Sequence, residues 1–163
     1  MANGMQRYAR TQIIVHWVTL ILLLGSFVSH EAMNDAWRLI RQGTQEFTPD
    51  VGVRAHVIIG ILVLVMTVLR IVLRLRHGAP AQPAAQGRAL AIAAAAVHGL
   101  LYILLLAIPL SGMAAWFGGI TDLGEVHEVL FNLALALVGL HVLAAAYHQF
   151  VIRDNLIARM TLR

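Results

Sequence analysis

The chain has 163 residues, of which 60% are hydrophobic and 12% are charged. Ordinary soluble domains have roughly 45–50% apolar and about 25% charged residues, so this composition excludes a water-soluble globule. The formal charge is +4, and all 12 basic residues are arginine. In a membrane chain such arginines mark topology, so no nucleic-acid partner is expected. The absence of cysteine excludes disulfides, iron–sulfur ligation and thiol chemistry.

Four apolar blocks follow one another along the chain, at about 12–29, 53–73, 89–115 and 126–152. Each is long enough to cross roughly 30 Å of hydrocarbon at about 1.5 Å of helical rise per residue. Backbone groups in lipid must be hydrogen-bonded internally, and these runs lack the alternation of barrel strands. The sequence therefore predicts an all-α membrane protein, a four-transmembrane-helix bundle that forms a single domain over residues 1–163.

The distribution of arginine predicts the orientation of this bundle. Nine of the 12 arginines lie in the N-terminal segment, the connection between the second and third blocks, and the C-terminal tail. The other three are Arg38, Arg41 and Arg54. Because cytoplasmic loops are enriched in Lys and Arg, both termini are predicted to be cytoplasmic, in a bacterial inner membrane. No signal-peptide cleavage pattern follows the first block, which indicates a retained helix.

The connections are predicted to be loops. Residues 30–52 are interpreted as the longest, an outer loop with Trp37 and Phe47 as interfacial anchors and His30 as a surface residue. The segment 77–87 is interpreted as a cytoplasmic linker that begins with another surface histidine, His77.

Six histidines fall within the predicted spans, where an ionisable side chain is costly and marks a candidate functional site. One such histidine is readily explained by a hydrogen bond to a carbonyl group, but six together are not. They are His16 in the first span, His56 in the second, His98 in the third, and His127, His141 and His148 in the fourth.

The spacing of these histidines predicts two cross-helix pairs. His127 and His141 are 14 residues apart, which is about 21 Å of rise and about 40° short of four whole turns, so they share one face at two depths. With the predicted topology, His56 lies near the depth of His127, and His16 lies near the depth of His141. His98 shares the inner half and is the alternative to His141 as the partner of His16. His148 lies near the cytoplasmic boundary, where a surface or quinone-side role is favoured.

A pair of imidazoles on opposite helices suits an iron porphyrin, which has two axial positions, better than zinc, which takes about four ligands. Without cysteine the attachment is non-covalent, which indicates two b haems. Two histidine ligands leave no open iron position, so electron transfer is the fitting role. The anionic propionates require cationic partners, for which Arg54 outside and Arg70 inside are predicted.

Several segments together resemble the bacterial cytochrome b561 family. They are residues 10–17 (RTQIIVHW), His56, the VLR and LRL segments at 68–70 and 73–75, and residues 139–141 (GLH) through 153–155 (RDN). The resemblance covers nearly the whole chain and implies four helices with two non-covalently bound b haems. In the related membrane subunits of formate dehydrogenase and nickel–iron hydrogenase, the ligands come from the first, second and fourth helices. His16, His56, His127 and His141 match that arrangement.

Chains of this stand-alone size are similar to superoxide oxidase. That resemblance implies electron transfer from superoxide, or another small periplasmic reductant, to ubiquinone. Capture of superoxide would require the three outer arginines to cluster, because seven acidic residues lie on the same side. Two alternatives stay open: a haem-bearing conduit or anchor for a separate dehydrogenase or other redox partner, and a haem-free histidine-based transporter.

Overall fold

A computed structural model describes residues 7–43, 48–80 and 87–162, and its fold is helical throughout those ranges. Four long helices follow one another: α1 (Arg10–Arg41), α2 (Val51–His77), α3 (Arg88–Gly118) and α4 (Asp122–Tyr147). A π-helix at His148–Ile152 and a 3₁₀-helix at Leu156–Met160 complete the chain. α1, α2, α3 and the continuous stretch Asp122–Ile152 are each long and apolar enough to cross a membrane. The predicted all-α membrane class is confirmed, whereas the side on which the termini lie stays a prediction.

The helices pack in sequence, α1 against α2, α2 against α3, and α3 against α4. Many large apolar side chains remain exposed on the outside of the bundle, among them Val28, Ile21 and Leu143. That distribution fits a lipid environment, because lipid tails solvate apolar side chains as well as a protein interior does. Between α1 and α2, buried Thr19 and Thr67 each bond the carbonyl of the preceding helical turn, so neither hydroxyl is left unsatisfied.

The first helix is much longer than the sequence predicts. α1 continues to Arg41, so the interpretation of residues 30–52 as a long loop is wrong, and the connection to α2 spans only 42–50. Phe47, a predicted interfacial anchor, lies outside the described residues. The extension carries two exposed ion pairs, between Arg38 and Asp35 at 2.7 Å and between Arg41 and Glu125 of α4 at 3.0 Å. His30 therefore belongs to a helix, as does Trp37.

The other boundaries shift by only a few residues. Asp50 caps α2 by accepting a hydrogen bond from the backbone N–H of Val53 at 2.8 Å. α2 runs on to His77, which is helical and exposed rather than part of the linker, and ends at Gly78 with φ at +71°. Residues 81–86 of the predicted linker lie outside the described residues. α3 turns into α4 through Gly119, whose φ of +66° favours glycine.

The helix termini lie at two opposite ends of the bundle, called the connection end and the termini end. The connection end carries the end of α1, the start of α2, the end of α3 and the start of α4. The termini end carries the start of α1, the end of α2, the start of α3 and the C-terminal turns. The predicted topology makes the connection end the outer one.

Candidate functional site

His56 and His127 meet near the connection end, between α2 and α4. Their ring centroids are 6.2 Å apart and their planes are inclined by 75°. His56 is buried, with 8% of its surface exposed. The structure thus brings together the two histidines that the helical spacing predicts at this depth.

The Nδ1 atom of each of these rings is held by a group of a neighbouring helix. Nδ1 of His127 donates to the backbone carbonyl of Ile108 at 2.7 Å. Nδ1 of His56 lies 3.2 Å from Oγ of Ser29, whose hydroxyl already donates to the carbonyl of Gly25 at 2.9 Å. The hydroxyl oxygen can therefore accept from His56, and in both rings Nε2 becomes the atom with a lone pair for a metal.

The separation of the two rings fits a shared metal ion. A metal–imidazole bond of about 2.0–2.1 Å on each side, as in zinc sites, places the centroids of two opposed imidazoles about 6.3 Å apart. The observed 6.2 Å between His56 and His127 is compatible with that spacing, and the ring of His30 lies at the same distance from His56.

A cavity of about 110 Å³ adjoins this pair. Both histidines line it, together with Trp37, Arg41 and His30. Nε1 of Trp37 is buried and has no hydrogen-bond acceptor among the described residues. A buried indole N–H usually has a partner, so this donor fits a bound group with acceptor oxygens, such as a haem carboxylate.

His30 is a member of this site that sequence reasoning missed, because it was assigned to a loop. Its ring stacks on Phe131 of α4 with centroids 5.5 Å apart and lies 6.2 Å from the ring of His56. His30 follows His16 by 14 residues on one helix, which is the same spacing that singled out the pair on the fourth span. That spacing was the signal that could have identified it.

Three histidines cluster toward the termini end. His16 and His141 have ring centroids 6.4 Å apart, which again fits one ion between them. His98 lies 5.1 Å from His141, which is closer than two rings that share an axial ion, and its Nδ1 donates to the carbonyl of Ala94 at 2.6 Å.

The two arginines predicted to contact a cofactor occupy different environments. Arg70 is partly buried in the bundle, where Nη2 donates to Nδ1 of His16 at 3.0 Å and the guanidinium lies 5.3 Å from the centre of the Tyr102 ring. Arg54 is exposed in the first turn of α2, and its Nε donates to the carbonyl of Pro49 at 2.9 Å.

Superoxide capture would require the three outer arginines to cluster, and two of them are paired with carboxylates instead. Arg38 pairs with Asp35, and Arg41 pairs with Glu125 across the α1–α4 contact. Both ion pairs are well exposed to solvent, and each neutralises a charge that would otherwise attract an anion.

In the described ranges, no group of three or more histidine or acidic side chains is arranged to hold a metal ion. The rings of His56 and His127, and those of His16 and His141, instead meet in cross-helix pairs, with His30 and His98 as neighbours. Pairs suit the two axial positions of a haem and fall short of the three or four protein ligands that zinc takes.

Comparison with known proteins agrees with this geometry. A family model described as prokaryotic cytochrome b561 matches residues 7–162. The chain belongs to the prokaryotic cytochrome b561 family. It is accordingly a multi-pass bacterial membrane protein that binds haem b and transfers electrons.

Three known proteins are similar to this chain over nearly their whole length. Cytochrome b562 of Cereibacter sphaeroides is 36% identical over 94% of both chains. A probable superoxide oxidase CybB of Yersinia pestis is 28% identical over 95% of this chain and 96% of the relative. Cytochrome b561 homolog 1 of Escherichia coli (strain K12) is 29% identical over 96% and 97% of the two chains.

Proposed function

We propose that this member of the family binds two b haems, one between His56 and His127 and one between His16 and His141. The observation that carries the proposal is that His127 and His141, 14 residues apart on one helix, each meet a histidine of another helix, with ring centroids 6.2 Å from His56 and 6.4 Å from His16. Each matches the spacing of two imidazoles on one ion. The 5.1 Å separation of His98 from His141 favours His16 as the partner and leaves His98 as a neighbour of that site.

When bound, each haem would supply a one-electron iron couple, and two histidine ligands from the chain would suit it to electron transfer rather than oxygen chemistry. Two groups of neighbouring helices orient the rings near the connection end. The backbone carbonyl of Ile108 bonds Nδ1 of His127, and the hydroxyl of Ser29 bonds Nδ1 of His56. We also propose that Arg54 and Arg70 pair with the carboxylates of the two haems, because arginine binds carboxylates by two parallel hydrogen bonds.

The two proposed haem sites lie at different depths in the bundle. His127 and His141 are separated along α4 by about 21 Å of rise, so the two sites lie in opposite halves of the bundle. We propose that a reductant is oxidised at the connection end, on the periplasmic side, and that ubiquinone is reduced toward the termini end.

Superoxide is the reductant that similarity to the Yersinia pestis protein suggests. Its capture depends on positive potential around the cavity near the connection end, where electrostatic focusing can raise association rates by about 10- to 1,000-fold. Arg41 lines that cavity and Arg54 lies at the same end of the bundle.

A second function is favoured by the pairing of Arg38 and Arg41 with carboxylates. The two ion pairs on the extended part of α1 present charges of both signs. Such a surface is better suited to binding a partner protein of complementary charge than to attracting a small anion. In this alternative the chain is a haem-bearing conduit that receives electrons from a separate redox protein.

Rapid-mixing spectroscopy on the purified protein separates the two functions. We expect superoxide to reduce the haems rapidly, at a rate that falls as ionic strength rises, and added ubiquinone to reoxidise them. Slow reduction by superoxide without salt dependence, alongside ready reduction by ubiquinol, would support the conduit instead. A haem-free protein would overturn both.

A further inference from the structure

The extended part of α1 carries three hydrogen-bond donors on one face. They are His30, Trp37 and Arg41, and all three line the cavity near the connection end. Trp37 and Arg41 follow His30 by seven and eleven residues, and these steps differ by only about 20° from two and three whole helical turns. The three side chains therefore form one row, called the donor stripe, along the part of the helix that resembles a loop in the sequence.

Trp37 supplies a donor that the folded chain leaves unused. Its Nε1 atom is buried, and no described residue accepts a hydrogen bond from it. The indole packs against the backbone of Gly124 of α4, where a Cβ atom would lie 2.7 Å from Nε1 and 2.6 Å from Cζ2. An indole N–H can only donate, and burial without an acceptor is costly. An acceptor bound in the cavity would remove that cost.

His30 is held through the faces and edges of its ring. The ring stacks on Phe131 of α4 with centroids 5.5 Å apart and lies 6.2 Å from the ring of His56. Because His30 also lines the cavity, its ring N–H is available to an acceptor bound there. The stripe thus offers two neutral donors beside the histidine pair.

The charges around the cavity nearly cancel. Arg41 is paired with Glu125 at 3.0 Å, and both residues line the cavity together with exposed Glu128. A free anion therefore gains little from the local potential. A group that is held in place by the rest of a larger ligand gains from the directional hydrogen bonds of the stripe instead.

The size and the depth of the cavity indicate which part of a ligand the stripe contacts. Its volume is about 110 Å³, several times the roughly 30 Å³ that one water occupies in the liquid. That space suits a carboxylate group and is too small for a whole porphyrin. Gly124, against which Trp37 packs, precedes His127 by three residues, about 4.5 Å toward the connection end. The donor of Trp37 thus lies on the outer side of the histidine pair.

We propose that the donor stripe binds a carboxylate of the haem held by His56 and His127, an inference that rests on the proposed function. Nε1 of Trp37 and the ring N–H of His30 donate to the carboxylate, and Arg41 adds positive charge. Hydrogen bonds to an ionised acceptor are about twice as strong as those between neutral groups. The extension of α1 therefore makes this site selective for a porphyrin with free carboxylates, in addition to any contact from Arg54.

The test isolates the haem near the connection end. His16→Ala is the background, because the proposed pairing leaves that variant only the site between His56 and His127. The full-length protein in detergent is depleted of haem and then titrated with haem b or with iron protoporphyrin dimethyl ester, in which both carboxylates are blocked. The dissociation constant of each complex is measured from the Soret band.

Three substitutions in this background remove or displace a donor. Trp37→Phe keeps an aromatic ring without the N–H, and His30→Phe keeps a ring that stacks on Phe131. Gly124→Ala places a Cβ atom against the indole and displaces its N–H. Trp17→Phe is the matched control, because it is the same substitution on the same helix. Nε1 of Trp17 donates to the carbonyl of Met160 at 2.9 Å, at the termini end.

We expect the background protein to bind haem b about tenfold or more tightly than the dimethyl ester, because hydrogen bonds to a charged group are lost in the ester. Trp37→Phe, His30→Phe and Gly124→Ala should each weaken the binding of haem b about five- to tenfold and leave the affinity for the ester nearly unchanged. Trp17→Phe should bind both porphyrins as the background protein does.

Three results would overturn the inference. They are equal affinity of the background protein for the two porphyrins, unchanged affinity for haem b in Trp37→Phe or His30→Phe, and equal weakening for both porphyrins. The last result would assign these side chains a packing role. A His16→Ala protein that binds no haem would contradict the proposed function itself, which distinguishes that failure from the other three.

Discussion

Gly112 of α3 leaves the space that the imidazole of His127 of α4 occupies. A Cβ atom at Gly112 would lie 2.8 Å from Nδ1 and 3.0 Å from Cε1 of that ring. The same ring reaches the carbonyl of Ile108, one turn earlier on α3, at 2.7 Å. The missing side chain thus allows the close approach that orients His127 toward His56.

The first prediction follows from this contact. Gly112→Val should displace the ring of His127 and lower the haem content from two to one per chain, with Gly112→Ala intermediate. Gly99→Ala is the matched control, because a Cβ at Gly99 of the same helix meets no atom within 4 Å. A pyridine haemochrome assay measures both, and a Gly112→Val protein with two haems would show that the contact is dispensable.

The second prediction concerns Ser29, whose Oγ lies 3.2 Å from Nδ1 of His56. Ser29→Ala removes the acceptor that orients the ring, and loss of such an outer-shell partner typically costs about 10- to 100-fold in metal affinity or activity. We expect haem binding near the connection end to weaken by that factor while the other haem is unaffected. Ser29→Thr, which keeps a hydroxyl, should bind haem as the wild type does. Haem titration of the apoprotein is the measurement. A Ser29→Ala protein that bound both haems as tightly as the wild type does would contradict this role of Ser29.

The third prediction concerns Arg70 and His16. A guanidinium can only donate hydrogen bonds, so Nδ1 of His16 accepts from Arg70 at 3.0 Å and Nε2 carries the ring proton. Ligation through Nε2 therefore requires Arg70 to release Nδ1, which a haem carboxylate would favour by attracting the guanidinium. Arg70→Ala should weaken binding of this haem and shift its reduction potential, whereas Arg74→Ala, in the next turn of α2, should not. Redox titration of each variant is the measurement. A curve for Arg70→Ala identical to that of the wild type would exclude the contact between Arg70 and the haem carboxylate.

The fourth prediction tests the electrostatics of the connection end. Glu125→Gln removes the carboxylate that pairs with Arg41 at 3.0 Å and frees a positive charge beside the cavity. If the reductant is superoxide, its reduction of the haems should become several-fold faster, and the rate should depend more steeply on salt. Arg41→Gln should have the opposite effect. Stopped-flow rates that change in neither variant would favour a protein partner over a small anion.

The sequence predicts the four helices and the two imidazole pairs for a clear physical reason. Apolar runs of this length leave the backbone no option but helix in lipid, and a spacing of 14 residues on one helix places two side chains on one face. Depth then follows from topology, so His56 and His127 meet, as do His16 and His141.

The features that the sequence does not reveal depend on contacts between distant residues. The polar end of α1 resembles a loop because hydropathy falls at His30, yet the helix continues to Arg41, which pairs with Glu125 of α4. The role of Gly112 is visible only once α3 and α4 are packed. Nδ1 of His148 also lies 2.6 Å from Oδ2 of Asp154, across a π-helix and a left-handed turn that have no recognisable pattern in the sequence.

Haem stoichiometry by pyridine haemochrome, measured on the wild type and on single histidine variants, tests the central claim most directly. We predict two haems per chain in the wild type and one in each of four variants, with the same haem lost from His56→Ala and His127→Ala and the other from His16→Ala and His141→Ala. His98→Ala should keep both. One haem or none in the wild type, or loss of a haem from His98→Ala but not from His141→Ala, would contradict the account.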